Sequence, residues 1–540
     1  MSRGPVTCGA EPGGRRPRAV PRRAAPAAPR SHRMVRAPRR PFPVGMRENG
    51  RVTPTAPRPL PAPDAAVLPR RRLRERRPPT GERSGRTPRS GRTRRAGLRV
   101  WSSPIALTAV FLAVHVWLGA KGITQYGRPF GDVTSVYHWW SYQALAEGHW
   151  YGILETWVYP AVALAPMAAT LVIATVLGVT YTVAWLILVT ALDLLALAVL
   201  TDGLRDTARI RVAWLWPAAL LALGAVSLGR IDTVALALVV MALALLDRHP
   251  AVAGLLLALG AWIKVWPAAV LLAALAVHGR ERRMRRGLVL PGVWLTAGLA
   301  VLAAAASAIA GRGLSGLAVL FGFIGGQASR NLQVEAVAAT PGLWAAHAGH
   351  GAVVYNDEIY TNELISASSP AVAAVVTVLM AVVAAAIAAL AWRAARPASH
   401  PAPVAARQRD PARREDRART AVLLAWTVLA LVVTFIVCNK VGSPQFEGWL
   451  IAPALLLAGA RPPRWWAPVG LIGVVLGLTQ TIYPSLYGWL LGLAPWMLWV
   501  ITARNALLVV LLGWSIVAIA GLACRPAHTA ALRGRSGASA

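Results

Sequence analysis

Ionisable side chains are scarce in the apolar stretches of this 540-residue sequence, so each one beside such a stretch needs a partner or a chemical role. Asp132 follows a glycine in QYGRPFGDVTSVYHWWSYQALAEGHWYG, at the expected start of a helix rich in Trp and Tyr. It reads either as a helix cap within an aromatic interfacial belt or as a general base at a membrane surface, taking a proton from a hydroxyl group. Lys264 stands between two tryptophans in GLLLALGAWIKVWP. That is either a snorkelling lysine or a ligand for phosphate, whose developing charge an ammonium stabilises strongly where water is excluded. In LGRIDT, Arg230 and Asp232 form a self-neutralised pair or hold phosphate and sugar hydroxyls. SRNLQVEAVAATP places Arg330, Gln333 and Glu335 at spacings of three and two residues. CNKVGSPQFEGWLIAP sets Lys440, Ser443, Gln445 and Glu447 at the mouth of two helices, with Pro444 breaking the chain. A solvated loop is the default reading of the first set, whereas the second suits sugar recognition, which uses this mixture of charged, amide and indole groups, and equally any helix-loop-helix at an interface. His347 and His350 are three residues apart, but no third ligand is placed beside them, so no metal site is expected. Cys8, Cys438 and Cys524 offer neither a disulfide framework nor a metal quartet.

The elements that must position these residues are membrane helices. A composition of 56% hydrophobic residues with mean hydropathy +0.49 is too apolar for a soluble chain of this length. The net charge of +35 is concentrated, since residues 1 to 100 hold 27 Arg against 5 Asp or Glu. That tail contains one aromatic residue, Phe42, so it reads as a disordered segment (1–99) rather than a nucleic-acid surface, and no nucleic-acid partner is expected. Met34 and Met46 are alternative starts within it. Roughly 20 apolar residues cross a bilayer, and apolar runs lie near 101–120, 158–178, 181–201, 212–228, 231–247, 250–277, 288–310, 370–394, 420–438, 448–460, 466–483 and 505–523. No signal-peptide cleavage pattern precedes the first run, which should stay as an anchor. The expectation is an all-α polytopic membrane protein of about twelve spanning helices over 100–523, with a short cytoplasmic tail at 524–540.

Lys and Arg mark the cytoplasmic side. Residues 278–287 carry five Arg, and 393–419 carry eight Arg against three acids, so both belong inside, with the N-terminus. Residues 121–157 (two basic, three acidic) and 311–369 (two basic, four acidic) are expected to be large extracytoplasmic loops. Arg205, Arg209 and Arg211 fall inside as well if 158–178 is a juxtamembrane or re-entrant segment and 250–277 is a hairpin broken at Lys264 and Pro267. Each half of that hairpin is short for a full crossing, but the charge bias favours it. It also brings Arg230, Asp232 and Lys264 to the face of the two long loops.

Together these stretches resemble the GT-C superfamily, and within it glycosyltransferase family 87, the polyprenyl-phosphate-mannose-dependent mannosyltransferases. The resemblance covers roughly 100–523 and rests on four segments: Asp132 with Glu147, Gly148, Trp150 and Tyr151 running into Tyr159 and Pro160; G-x-x-D at 229–232; A-G-L-L-L-A-L-G-A-x-I-K-x-x-P at 253–267; and K-V-x-S-P-Q-F-x-x-W-L-x-x-P at 440–453. The R-x-L-Q-V-E string at 330–335 is similar to a second-loop motif of some members. The resemblance implies a GT-C-type bundle and an inverting transfer of mannose from a polyprenyl-phosphate carrier to a glycolipid or glycan acceptor, on the extracytoplasmic face of the cell membrane. Asp132 would deprotonate the acceptor. Lys264, helped by Arg230 and Lys440, would neutralise the departing phosphate, with Asp232, Arg330, Gln333, Glu335 and Gln445 binding sugar or acceptor. No cofactor is implied, the lipid-linked sugar being a substrate. The chain departs from the family pattern at GRID (229–232) and at Phe446-Glu447, which leaves arabinose or another sugar open as the donor. The alternative class is a transporter or flippase for a lipid-linked or polar envelope precursor, whose signature, a repeat between the two halves, is not seen.

Overall fold

The computed structural model describes residues 100–328, 330–357, 361–395 and 411–524, all within the compact unit Arg86–Ala540. The tails expected at 1–99 and 524–540, apart from Cys524, lie outside the described residues, as do 396–410 of the basic loop.

The described chain is mostly helical. In order come α1 (Pro104–Thr124), a π-helical turn at Asp132–Tyr137, α2 (His138–Glu147), α3 (Leu164–Leu177), α4 (Tyr181–Leu200), α5 (Thr207–Ala213), α6 (Leu215–Leu223), α7 (Ile231–Leu245), α8 (Pro250–Ile263), α9 (Pro267–His278) and α10 (Arg282–Ile309). Then follow α11 (Ser315–Leu320), α12 (Gly322–Ala328), α13 (Thr340–His347), β1 (Ala352–Asn356), β2 (Thr361–Ile365), α14 (Ser369–Ala394), α15 (Pro411–Val437), a 3₁₀ segment at Pro444–Leu450, α16 (Ile451–Ala460), α17 (Trp466–Ile482), α18 (Tyr487–Leu491) and α19 (Pro495–Cys524). Among the described residues six helices are long and apolar enough to cross a membrane: α1, α4, α10, α14, α15 and α19. Shorter apolar helices include α7, α8, α9 and α17.

Local chemistry sets the boundaries. Ser103 starts α1 by accepting a hydrogen bond from Ala106 N at 3.2 Å, with Pro104 in the first turn, where its missing N–H costs nothing. The expected 250–277 element is two helices, because Lys264 is extended (φ −149°, ψ 134°) and Pro267 opens the next helix. The run near 212–228 is likewise interrupted: Gly224 has φ +77° and sits against the Gln480 side chain, where a Cβ would collide, so the chain turns there. Two other runs are longer than hydropathy suggests. The one read from 288 begins at Arg282, so the arginine-rich stretch is helical, and the one read from 505 begins at Pro495, which places Arg504 inside α19. The all-α expectation needs one amendment, an antiparallel hairpin of β1 and β2 with Ala352 opposite Ile365 and Asn356 opposite Thr361.

Contacts sort the helix ends into two layers. In one, Arg211 donates to Ser102 Oγ, Arg248 pairs with Asp202, Arg283 donates to Arg248 O, Arg280 to Trp392 O, and Arg419 to Ala394 O and Leu522 O. This layer gathers the start of α1, the ends of α4, α7, α14 and α19, and the start of α10. Arg209 and Arg211 lie in it with the arginines of 278–287, the arrangement that a hairpin at 250–277 requires. The opposite layer holds the ends of α1 and α8 and the starts of α4 and α7. Helix α3, 14 residues long, is bracketed by Tyr159, beside Lys264, and by Tyr181, whose hydroxyl meets Ser141 at 3.1 Å, so both of its flanks belong to this second layer.

Candidate functional site

Asp132 opens the π-helical turn behind Gly131, so it sits one position past the cap. Its Oδ2 lies 3.4 Å from Arg230 Nε. Turns of this π type are often found at functional sites, and here the turn aims a carboxylate that is still 37% exposed at a guanidinium that is 9% exposed. Arg230 is held in the extended residue before α7. It donates to Pro129 O at 3.0 Å, Gly229 O at 3.1 Å and the Tyr483 hydroxyl at 3.2 Å. Gly229 is required beside it because the Phe130 ring fills the place of a Cβ. Burial works against the Arg230 charge, but Asp132, Tyr483 and Tyr137 outweigh it and raise its pKa. Tyr137 fixes the start of α7 by accepting from Ile231 N at 3.2 Å, and burial drives its phenol well above the ordinary value.

Two residues on, in the first turn of α7, Asp232 is 4% exposed and forms the second ion pair. Its Oδ2 is 3.6 Å from Lys264 Nζ, and its Oδ1 accepts from Trp449 Nε1 at 2.8 Å. Lys264 can reach it because the α8–α9 break turns the side chain out of the helix ladder. The ammonium also lies 4.7 Å from the centre of the Tyr159 ring and 5.6 Å from that of Phe446, both favourable quadrupole contacts. Trp449 is clamped between Trp266 (5.4 Å, 11° between planes) and Phe446 (4.3 Å). Burial lowers the Lys264 pKa, but Asp232 and Tyr159 more than offset it, and the value rises. The lysine is therefore a fixed cation in an aromatic cage rather than a snorkelling one. Arg230 and Asp232 stand two residues apart at the start of α7, so the two ion pairs form one site.

A third cluster holds the loops in place. Arg504, 1% exposed in α19, pairs with Glu335 at 2.8 Å and Glu447 at 3.7 Å, and donates to Glu335 O at 2.7 Å. Asn505 donates to Thr340 Oγ1 at 2.8 Å. Burial outweighs Arg504 at both acids: Glu335 is raised, and Glu447, which also feels Glu335, is pushed up to about 7. Glu335 is thus engaged by α19 instead of facing the first two pairs. Gln333 N donates to Lys440 O at 2.9 Å, which splices the second loop to the 440–447 segment, while Gln445 borders a crevice shared with Asp232 and Trp449. His347 packs its ring edge on Trp344, and no group of three His, Cys, Asp or Glu able to hold a metal occurs among the described residues.

Sequence reasoning passed over Arg504, Glu363 and Tyr483. Arg504 lies just before the apolar run read from 505; Glu363 and Tyr483 carry no local signal, since their importance depends on partners remote in sequence. No protein-family model, curated protein or solved structure matches this chain at a significant level.

Proposed function

We propose that this chain is a membrane glycosyltransferase of the GT-C type that transfers mannose or a related sugar from a polyprenyl-phosphate donor to a glycolipid or glycan acceptor with inversion. The observation that carries the reading is the pair of ion pairs Asp132–Arg230 and Asp232–Lys264, joined at the start of α7 and opened to solvent on the Asp132 side. A hydroxyl group entering at the half-exposed carboxylate meets a base. Beyond it, Arg230 and Lys264 hold two fixed cations at one end of the site, which suits an anionic leaving group. Fixed, partly desolvated cations stabilise developing phosphate charge without reorganising, and a positioned carboxylate accelerates proton removal.

In this reading Arg230 has two tasks. It orients Asp132 in the resting site, and it shares phosphate charge with Lys264 and Lys440 during transfer. The arginine-rich layer faces the cytoplasm with the N-terminus, following the distribution of Lys and Arg around spanning helices, and the ion-pair layer faces outward. The chain then crosses the cell membrane many times, with the shorter helices α7 to α9 forming part of the bundle.

The test is transfer of radiolabelled mannose from polyprenyl-phosphate mannose to glycolipid or glycan acceptors by the purified protein, with linkage analysis of the product. Retained label on the carrier with every acceptor class, for a correctly folded preparation, would overturn the assignment. Movement of intact lipid-linked sugar across proteoliposomes without transfer would favour the flippase reading instead.

A further inference from the structure

We propose that Glu363, with Gln333 and Arg330, forms a subsite for the vicinal hydroxyls of a neutral sugar ring; the proposal deepens the transferase reading and rests on it for the identity of the sugar. Glu363 is on β2 and pairs backbone to backbone with Gln333 in an antiparallel bridge, which places the two side chains on one face a few ångströms apart. Both are closed off from water, at 3% and 2% exposure. The Glu363 carboxylate is anchored through one oxygen only: Oε2 accepts from Asn331 Nδ2 and from Asn356 Nδ2, each at 3.1 Å. Its Oε1, the Oε1 of Gln333 and the Nε of Arg330 are buried with no hydrogen-bond partner among the described residues.

Buried polar atoms are almost always paired, and two unpaired acceptors on neighbouring residues of one backbone pairing, with an unpaired donor three residues earlier in the chain, are unusual in a folded core. Their chemistry is complementary to a diol. Two hydroxyl groups donate to the two acceptor oxygens, and a hydroxyl oxygen accepts from the guanidinium. The carboxylate argues against a phosphate here, since like charges repel. The rim is accessible, with Asn331 exposed and Arg330 and Asn356 half-buried. Arg330 also lies within electrostatic reach of both Lys264 and Glu363, which sets the subsite beside the paired ions. One end of the site thus suits an anion and the adjoining end a neutral polyol.

The test is saturation-transfer NMR on the full-length protein in detergent, with methyl α-mannoside, its 2-deoxy analogue and mannose 1-phosphate as probes. In Glu363→Gln the amide oxygen keeps the bonds from Asn331 and Asn356 and an NH₂ replaces the free acceptor. Binding of methyl α-mannoside should weaken roughly 10- to 100-fold, the weight of one hydrogen bond to a charged group, at an unchanged melting temperature. Should that variant fail to fold, Gln333→Met removes the second acceptor while keeping the backbone bond to Lys440, and should weaken binding in the same direction. No binding to the wild type, or binding unaltered in the variants, overturns the subsite. A tighter fit for mannose 1-phosphate that disappears in Lys264→Met assigns the ring to the donor; equal binding of the two probes assigns it to the acceptor. Glycoside binding without any transfer from lipid donors would keep the subsite and sink the transferase, whereas transfer with Glu363→Gln binding intact would do the reverse.

Discussion

Glu447→Gln isolates the electrostatic lock between the loops and α19. One guanidinium, Arg504, serves two buried carboxyl groups, and Glu335 holds the closer position, 2.8 Å against 3.7 Å. Glu447 is left with one oxygen unpartnered and is pushed from the ordinary 4.5 up to about 7. A carboxyl whose affinity for a proton rises on folding stabilises the protein while it stays protonated, so its contribution is complete below pH 4.5 and is lost as the pH climbs through 7. At 1.36 kcal/mol for each tenfold change in proton affinity, the loss across that window is roughly 3 kcal/mol. The glutamine is neutral throughout. Near pH 5 the variant should therefore match the wild type, and near pH 8 it should be the more stable of the two by a few degrees in melting temperature. Glu335 is raised as well, so a smaller slope of the same sign should remain in the variant. The assay is a tryptophan-fluorescence melt in detergent at half-unit pH steps. A wild type whose stability rises from pH 5 to 8, or a variant with an undiminished slope, would refute the shared-guanidinium argument.

Asp132→Asn should cut turnover with polyprenyl-phosphate mannose by on the order of 10² to 10⁴ while leaving donor binding in place; rates near wild type at matched melting temperature would end the claim for a base. Lys264→Met should slow transfer by the equivalent of a few kcal/mol and also lower stability, because Asp232 is left buried without its cation. Adding Asp232→Asn should recover the stability and not the turnover, and recovery of both would show that the pair is structural. Cysteines at His347 and Asn362 should label from outside the cell, and those at Arg283 and Arg414 from inside; labelling of 283 and 347 from one side would break the proposed topology. Deleting residues 1–95 should leave folding and transfer largely intact, with only weaker attraction to anionic lipid, at about 1 kcal/mol for each basic residue near the surface.

The helical membrane class was legible from the sequence because hydropathy and length are local properties, and a long apolar run has no folded alternative that satisfies its backbone in lipid. The break at Lys264 was legible for the same reason: a charged residue leaves the apolar ladder there, and Pro267, three positions on, lacks the N–H that would carry the helix through. The clustering of arginines likewise favoured the hairpin over a single crossing at 250–277, and the layer containing Arg211, Arg248 and Arg283 has that arrangement. Pairing was not legible. Asp132 could equally have capped its own turn, and only the approach of Arg230, 98 positions away, turned the carboxylate toward a guanidinium. Arg504 falls just outside the apolar run read from 505, since a lone arginine in a spanning helix is costly; Glu335 and Glu447, delivered by two separate loops, make its burial inside α19 tolerable. Glu363 carried no signal, because what distinguishes it is one carboxylate oxygen anchored and the other unsatisfied, a property of the β-hairpin meeting the 331–333 segment through the single bridge at Gln333. Residue types and periodicity reveal which groups must leave the lipid, but which charge meets which is decided by contacts between segments far apart in the chain, and those exist only once the helices have packed.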